Sequence, residues 1–259
     1  MSDGSDTLAR AMTWGFHVKH LSEAHILLAR RLLLEAGLGA EVLPVKALLQ
    51  YLDGIMESNS KLNLTRITSP EAAIRLHVVD SLIALPEILA APPGTLLDIG
   101  TGGGFPGVPL CISANRDGVL LDSVGKKARA VNHVLLSMGY TQGIVALPER
   151  AEDHAMHHRS GYAVVTARAV SELPALVELS APLLVEGGRL VALKGAPEPE
   201  ELRRARQVAA LVGMVETSTR HITLPDGDEK RCIVVYERRG KPITRLPRRP
   251  GAAQNAPLA

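Results

Sequence analysis

The sequence predicts an α/β protein: a doubly wound, mostly parallel sheet of seven strands with an N-terminal helical extension. Three observations carry that expectation. From Thr95 onward, short apolar runs alternate with helical stretches, the pattern of strands joined by crossover helices. A glycine-dense turn, Gly100 to Gly107, lies between the first strand and the helix that follows. Ahead of it, from about Val18 to Ala90, apolar residues recur at helical rather than strand spacing.

Each element has its own reason. Leu27, Leu28, Ala29 and Leu32 to Leu34 give the first helix an apolar face, and Gly37 and Gly39 mark its stop. Pro44 to Met56 reads as a second helix through Val45, Leu48, Leu49, Leu52, Ile55 and Met56. Ser69 is the N-cap of a third, with Pro70 in its first turn and Ile74, Val78 and Leu82 along it. Ala91-Pro92-Pro93-Gly94 is a linker. Strands are expected at 95–99, 119–122, 144–147, 163–167 and 189–193, with helices at 126–138, 171–184 and 198–211. Two last strands, 217–224 and 232–237, have only the turn Pro225-Asp226-Gly227 between them, so one of the pair should be antiparallel. The chain divides accordingly into a polar, frayed start (1–17), a helical subdomain (18–93), a sheet domain (94–238) and a basic tail (239–259).

Composition excludes several classes. With 46% hydrophobic and 22% charged residues, the chain is not wholly disordered. No run approaches ~18 consecutive apolar residues, so no membrane-spanning helix is expected. Asp3 and Asp6 stand where a secretory signal would carry lysine. Cys111 and Cys232 are too few and too far apart for a disulfide framework or a zinc knuckle, and a cytoplasmic protein is expected. Nothing suggests a dimer face, so a monomer is expected. Aromatic residues make up only 3%, which disfavours an RNA-reading sheet that stacks bases on rings. Residues 238–259 hold six Lys/Arg and no acid, whereas the rest of the chain holds 23 basic and 27 acidic side chains. A polyanionic partner would therefore meet Arg238, Arg239, Lys241, Arg245, Arg248 and Arg249. The tail's prolines, Pro242, Pro247, Pro250 and Pro257, should keep it extended.

The most informative segment is Asp98-Ile-Gly100-Thr-Gly102-Gly-Gly104-Phe105-Pro-Gly107. Glycines permit the sharp turn and let a ligand approach the backbone, and the next helix offers free N–H groups. The dinucleotide fingerprint G-x-G-x-x-G would need glycine at 105, where Phe105 stands, and no Gly-Lys-Ser/Thr follows as in a phosphate-binding loop. Asp122, at the end of the second strand, occupies the place from which an acid hydrogen-bonds a ribose diol. The adenosine-containing ligand that suits Asp-x-Gly-x-Gly-x-Gly is S-adenosylmethionine, which brings no pyrophosphate and whose sulfonium tolerates a carboxylate such as Asp98.

Further segments complete a pattern: Asn63-Leu-Thr65, His77-Val-Val-Asp80-Ser-Leu82, Leu121-Asp-Ser-Val-Gly-Lys-Lys127, Thr166-Ala-Arg168-Ala169, Leu193-Lys194-Gly195, and the basic end with Pro247-Arg-Arg-Pro-Gly251. Together with the glycine turn, in this order, they resemble the RsmG (GidB) family of ribosomal RNA methyltransferases from about Leu43 to the end. Ser58 before Asn59 and Leu76 before His77 depart from the Trp and Arg that many members carry there. The resemblance implies a class I, Rossmann-like methyltransferase fold. It implies transfer of a methyl from S-adenosylmethionine to N7 of a guanine in small-subunit 16S rRNA, with the 30S subunit as partner. It also implies that Gly100 and Phe105 line the cofactor site, and a side chain at Gly102 would enter the ligand's space. Asp122, Ser123 and Val124 would contact ribose and adenine, Ala151 and Glu152 would flank the adenine, and Arg168 would close the pocket.

The residues agree with that chemistry. Methyl transfer is an in-line displacement in which positioning does most of the work. Guanine N7 has a free lone pair and no proton, so no general base is expected, and Asn/Asp-Pro-Pro-Tyr/Phe is absent after the fourth strand. Arg168 and Lys194 end the fourth and fifth strands, at the carboxyl edge where such sheets bind ligands. Arg168 is a candidate clamp for a phosphate, the methionine carboxylate or the guanine, and Lys194 for an RNA phosphate. A strand-end salt bridge is the plain alternative for the first and a solvated lysine for the second. His77 and Asp80 lie three apart on one helix face without further ligands at metal spacing, and no metal is expected.

Overall fold

The computed structural model of the chain describes residues 21–62 and 66–259. The expectations for residues 1–17 and for Asn63-Leu64-Thr65 lie outside them. Helices α1 (Glu23–Glu35) and α2 (Val45–Leu62) lead into α3 (Pro70–Ala73), which runs through a π-helical stretch, Ile74–Val79, into α4 (Asp80–Leu82) and then α5 (Leu85–Leu89). The sheet and its helices follow as β1 (Leu96–Ile99), α6 (Gly107–Ala114), β2 (Gly118–Leu121), α7 (Gly125–Ser137), β3 (Ile144–Leu147) and α8 (Ala151–His157). The second half is β4 (Tyr162–Arg168), α9 (Leu173–Ser180), β5 (Leu184–Lys194), α10 (Pro199–Val212), β6 (Met214–Thr223), β7 (Lys230–Arg238) and a last turn of helix, α11 (Ala252–Asn255).

The strands form one sheet in the order β3-β2-β1-β4-β5-β7-β6. β1 to β5 pair in parallel, and β7 is antiparallel to both β5 and β6. The physical reason lies in the connections. Crossover helices return the chain to the same edge before each of β2 to β6, whereas the Pro225–Gly227 turn, with Asp226 in the left-handed region, sends β7 straight back. Successive residues of the central strands serve opposite faces: Leu96 packs with the N-terminal helices, α6 and α7, and Leu97 with α8, α9 and α10. The sheet is thus doubly wound, and strands covered on both faces carry unbroken apolar runs.

The N-terminal helices share one core with the sheet. Ala29, Leu32, Leu48, Tyr51, Ile74 and Leu82 lie in the same cluster as Leu96, Leu120 and Val164. α2 lies close on α7 because Gly54 has no side chain: a Cβ there would stand 2.6 Å from Val134 Cγ1. Ser69 caps α3 as its type and place require, its hydroxyl accepting from Ala72 N–H at 3.2 Å.

Two expectations about boundaries change. β5 begins at Leu184 rather than 189, because its Gly187-Gly188 pair does not end the strand: the pairing with β4 shifts register across it. α8 was absent from the sequence reading; its seven residues include two histidines and no apolar stripe.

The tail also differs from expectation. It does not run extended into solvent. Arg239 and Gly240 N–H donate to Gly213 O, Leu246 and Ala253 are buried, and Arg159 Nη1 donates to Leu246 O at 2.6 Å. Arg248 grips Glu178 with Nε and Nη2 at 2.6 and 2.7 Å. Glu178 is almost wholly buried, and that carboxylate needs a cation, so the prolines shape a packed strap rather than a free arm.

Candidate functional site

The glycine turn leaves β1 at the carboxyl edge of the sheet, where the order reverses between β1 and β4. Gly100, Gly102 and Gly104 all have positive φ, between 60° and 86°. A Cβ on Gly102 would meet nothing within 4 Å, so the turn is open there. A Cβ on Gly104 would collide with the Tyr51 hydroxyl. At Gly107, where α6 begins, it would stand 2.3 Å from Leu120 Cδ2. The turn is thus packed from behind and bare in front.

Asp122 follows β2 and faces the turn. Its Oδ2 accepts from Gly102 N–H at 3.0 Å and its Oδ1 from Val124 N–H at 2.8 Å, with Lys127 Nζ 3.7 Å from Oδ2. Beside it Ser123 is exposed and Val124 is 39% exposed, an apolar side chain standing in water at a strand end. Ala151 opens α8 on the same edge, after β3.

Four other candidates are engaged within the protein. Asp98 is fully buried, and its two oxygens accept from Gly107 N–H at 3.0 Å and Thr166 Oγ1 at 2.9 Å. It ties the turn to β4; burial pushes its carboxyl up to about 6. Gly100 is covered by Val170, whose Cγ2 would lie 2.4 Å from a Cβ there. The Phe105 ring is buried between helices, stacked on His77 at 4.8 Å and edge-on to Tyr51 at 5.5 Å. The Glu152 carboxylate turns to the tail, where Oε1 accepts from Gly251 N–H at 2.7 Å.

Arg168 and Lys194 stand at the expected edge but are not free charges. Arg168 Nη1 donates to Asp80 Oδ2 at 3.0 Å and to Leu76 O at 3.2 Å. Arg231 also reaches Asp80, at 2.7 Å from Nε to Oδ1. Lys194 Nζ lies 2.8 Å from Glu201 Oε1 and donates to Ser171 O at 2.9 Å. The strand-end salt bridge is therefore the observed state of Arg168. Lys194 is paired rather than solvated.

The tail cations divide. Arg238 donates to Ser160 Oγ and Leu184 O, Arg239 pairs with Glu237, and Arg248 with Glu178. Lys241, Arg245 and Arg249 are exposed. Because β7 is antiparallel, Arg238 to Lys241 emerge at the amino edge of the sheet, where β4, β5 and β6 begin, across from the glycine turn.

Sequence reasoning passed over Tyr51 and weighed His77 with Asp80 without placing it behind the turn. Tyr51 is fully buried, and its hydroxyl donates to Gly103 O at 2.9 Å, bracing the turn from α2. A polar tyrosine inside the apolar stripe of α2 was the available signal. His77 is held down to about 4 by burial and by the nearby Arg168 charge, and stays neutral. It sits in the π-helical stretch, a local widening of the helix that the apolar spacing does not reveal. Among the described residues no group of three or more His, Cys, Asp or Glu could hold a metal ion.

An open glycine turn, a carboxylate at the second strand's end and an exposed valine beside it match the needs of an adenosine ligand without a pyrophosphate. The fold and this cradle define a class I methyltransferase that depends on S-adenosylmethionine. Residues 45–231 match the family model described as rRNA small subunit methyltransferase G, and the chain belongs to that family. Its curated relatives include the ribosomal RNA small subunit methyltransferase G of Symbiobacterium thermophilum, 36% identical over 242 residues, 89% of this chain and 98% of that one. The protein of the same description from Chloroflexus aggregans is 37% identical over 212 residues, covering 81% and 88%. Among solved structures, the O-methyltransferase from Bacillus cereus in complex with SAH superposes with a TM-score of 0.52 at 18% identity, over 72% of this chain and 90% of that one. A geranyl diphosphate C-methyltransferase from Streptomyces coelicolor gives 0.53 at 14%, over 66% and 80%. At these identities the two structures speak for the fold alone.

Proposed function

We propose that this enzyme methylates N7 of a guanine in 16S rRNA of the small ribosomal subunit, as a monomer in the cytoplasm. The observation that carries the reading is the cradle of Gly102 and Asp122 in a chain whose residues 45–231 match the rRNA small subunit methyltransferase G family. No helix among the described residues is long and apolar enough to cross a membrane.

When bound, S-adenosylmethionine supplies a methyl group on a sulfonium, open to in-line attack. Asp122 accepts the ribose hydroxyls, Ser123 and Val124 meet the adenine, and the bare side of Gly102 admits the ligand to the backbone. Ala151, at the head of α8, borders the base. Arg168 acts as a positioning residue: through Asp80 and Leu76 O it holds the π-helical stretch against the carboxyl end of β4. Lys194 fixes the loop after β4 through Ser171 O.

The absence of a needed base supports N7 as the acceptor. Asp98 is occupied with Gly107 and Thr166. Burial pushes the Cys111 thiol far up, and Cys232 is buried and also raised, so neither offers a thiolate for attack on a pyrimidine ring. Labelled S-adenosylmethionine incubated with the protein and small subunits, free nucleosides or a protein extract tests the reading. Label should enter 16S rRNA only; label in the nucleosides or the proteins would overturn it.

A further inference from the structure

We propose that the cleft between α2 and α7 seats the sugar–phosphate backbone of the RNA substrate, with Lys126, Arg129 and His133 as its contacts. This rests on the rRNA reading above and names a surface that reading leaves open. The cleft encloses about 520 Å³, with Gly54 and Ser58 on one side and Lys126, Arg129, His133 and Ser137 on the other. The α7 residues recur at spacings of three and four, so they share one face of the helix.

The two cations, Lys126 and Arg129, are unspent. Arg75, Arg168, Arg189, Arg220, Arg231 and Arg248 are each paired with a carboxylate. Lys126, Arg129 and His133 are exposed and make no ion pair or hydrogen bond among the described residues. Glu57 also lines the cleft and is itself engaged within the protein. A row of unpaired donors on one exposed face fits a polyanion, because each phosphate neutralised releases condensed counterion.

Position strengthens the case. α7 begins at Gly125, directly after Asp122-Ser123-Val124, so the stripe starts beside the cofactor cradle. The Arg129 guanidinium lies over that head of the helix, 3.2 Å from where a Cβ on Gly125 would stand. A strand held there passes the carboxyl edge of the sheet, whereas Arg238 to Lys241 lie at the opposite edge. The close approach of Gly54 to Val134 forms the floor of the cleft.

The test uses the full chain carrying Lys126→Ala and Arg129→Ala together, and a second variant with Lys126→Arg and Arg129→Lys. Binding to transcribed 16S rRNA is titrated with salt, and S-adenosylmethionine affinity is measured by calorimetry. The alanine variant should bind RNA at least about tenfold more weakly near 0.1 M salt, with a log–log salt slope shallower by roughly 1.4 to 1.8 for two lost contacts. Its cofactor affinity should be unchanged, and the charge-keeping variant should bind as the wild type does. Unaltered RNA affinity and slope in the alanine variant, with cofactor binding intact, would overturn the proposal. Failure of the functional reading would show separately, as no methyl transfer to rRNA by the wild type, while the salt titration still decides the cleft.

Discussion

Asp98 and His77 lie behind the glycine turn and answer to acid with opposite signs. The native state holds the Asp98 proton up to about 6, against an ordinary value of 3.8. Between those values folding takes up a proton, so this group's contribution falls as pH rises through the window. Asp98→Asn carries no such proton but can still accept from Gly107 and donate to Thr166. The stability of the wild type relative to Asp98→Asn, from urea unfolding, should therefore decline from pH 4 to 6.5. A pH-independent difference would mean that the carboxyl is not desolvated. For His77, down at about 4 from 6.5, unfolding takes up the proton, and stability is lost as pH falls from 6.5 to 4. His77→Phe keeps a ring against Phe105 and should reduce that acid-side loss.

Asp122 belongs to the same scale with a different outcome. Asp122→Ala should weaken S-adenosylmethionine binding by about 1.5–3 kcal/mol, the worth of a charge-assisted hydrogen bond. Calorimetry checks it, and unchanged affinity would remove Asp122 from the ribose site. Asp122 stood out in the sequence because an acid at the end of the second strand has one common use, and the fold sets it against Gly102 N–H. The burial of Asp98 was not legible, because the same motif does not say which carboxylate is desolvated. Its neighbours Thr166 and Gly107 come from 68 and nine residues away, and only the folded chain brings them together.

Among the elements, α2 and the tail carry the largest differences from sequence expectation. α2 was visible as an amphipathic helix, but its service to the turn through Tyr51 was not, since the hydroxyl's partner is the backbone of Gly103. Tyr51→Phe leaves that carbonyl without its donor and should cost about 1–3 kcal/mol of stability. It should also loosen cofactor binding although the side chain touches no ligand; thermal unfolding and calorimetry together separate the two effects. The tail's composition gave its charge correctly and its course wrongly. Proline restricts φ, but whether a segment packs depends on receivers such as Glu178 and Glu152, which lie far away in sequence. Arg248→Ala strands the nearly buried Glu178 carboxylate and should destabilise the protein by about 2–4 kcal/mol, somewhat less than a fully buried pair because Arg248 is part exposed. Chemical denaturation measures it. A loss in RNA binding alone, with stability intact, would instead restore the free-arm reading of the tail.

For the whole molecule, the seven strands, their alternation with helices and the reversal at β7 were all legible, because period and turn chemistry are local properties. What was not legible is how the N-terminal helices join the sheet core, or that Arg168 and Lys194 are held by Asp80 and Glu201. Those pairings depend on three-dimensional proximity and not on spacing. The central claim is that a cradle of Gly102 and Asp122 delivers a methyl group to guanine N7 in 16S rRNA. The measurement that tests it most directly is mass spectrometry of nucleosides from unmethylated small subunits, incubated with S-adenosylmethionine and either the wild type or Asp122→Ala. The account predicts one N7-methylguanosine per 16S rRNA with the wild type and a much slower appearance with the variant. Methylation at another atom, or equal rates for the two proteins, would contradict it.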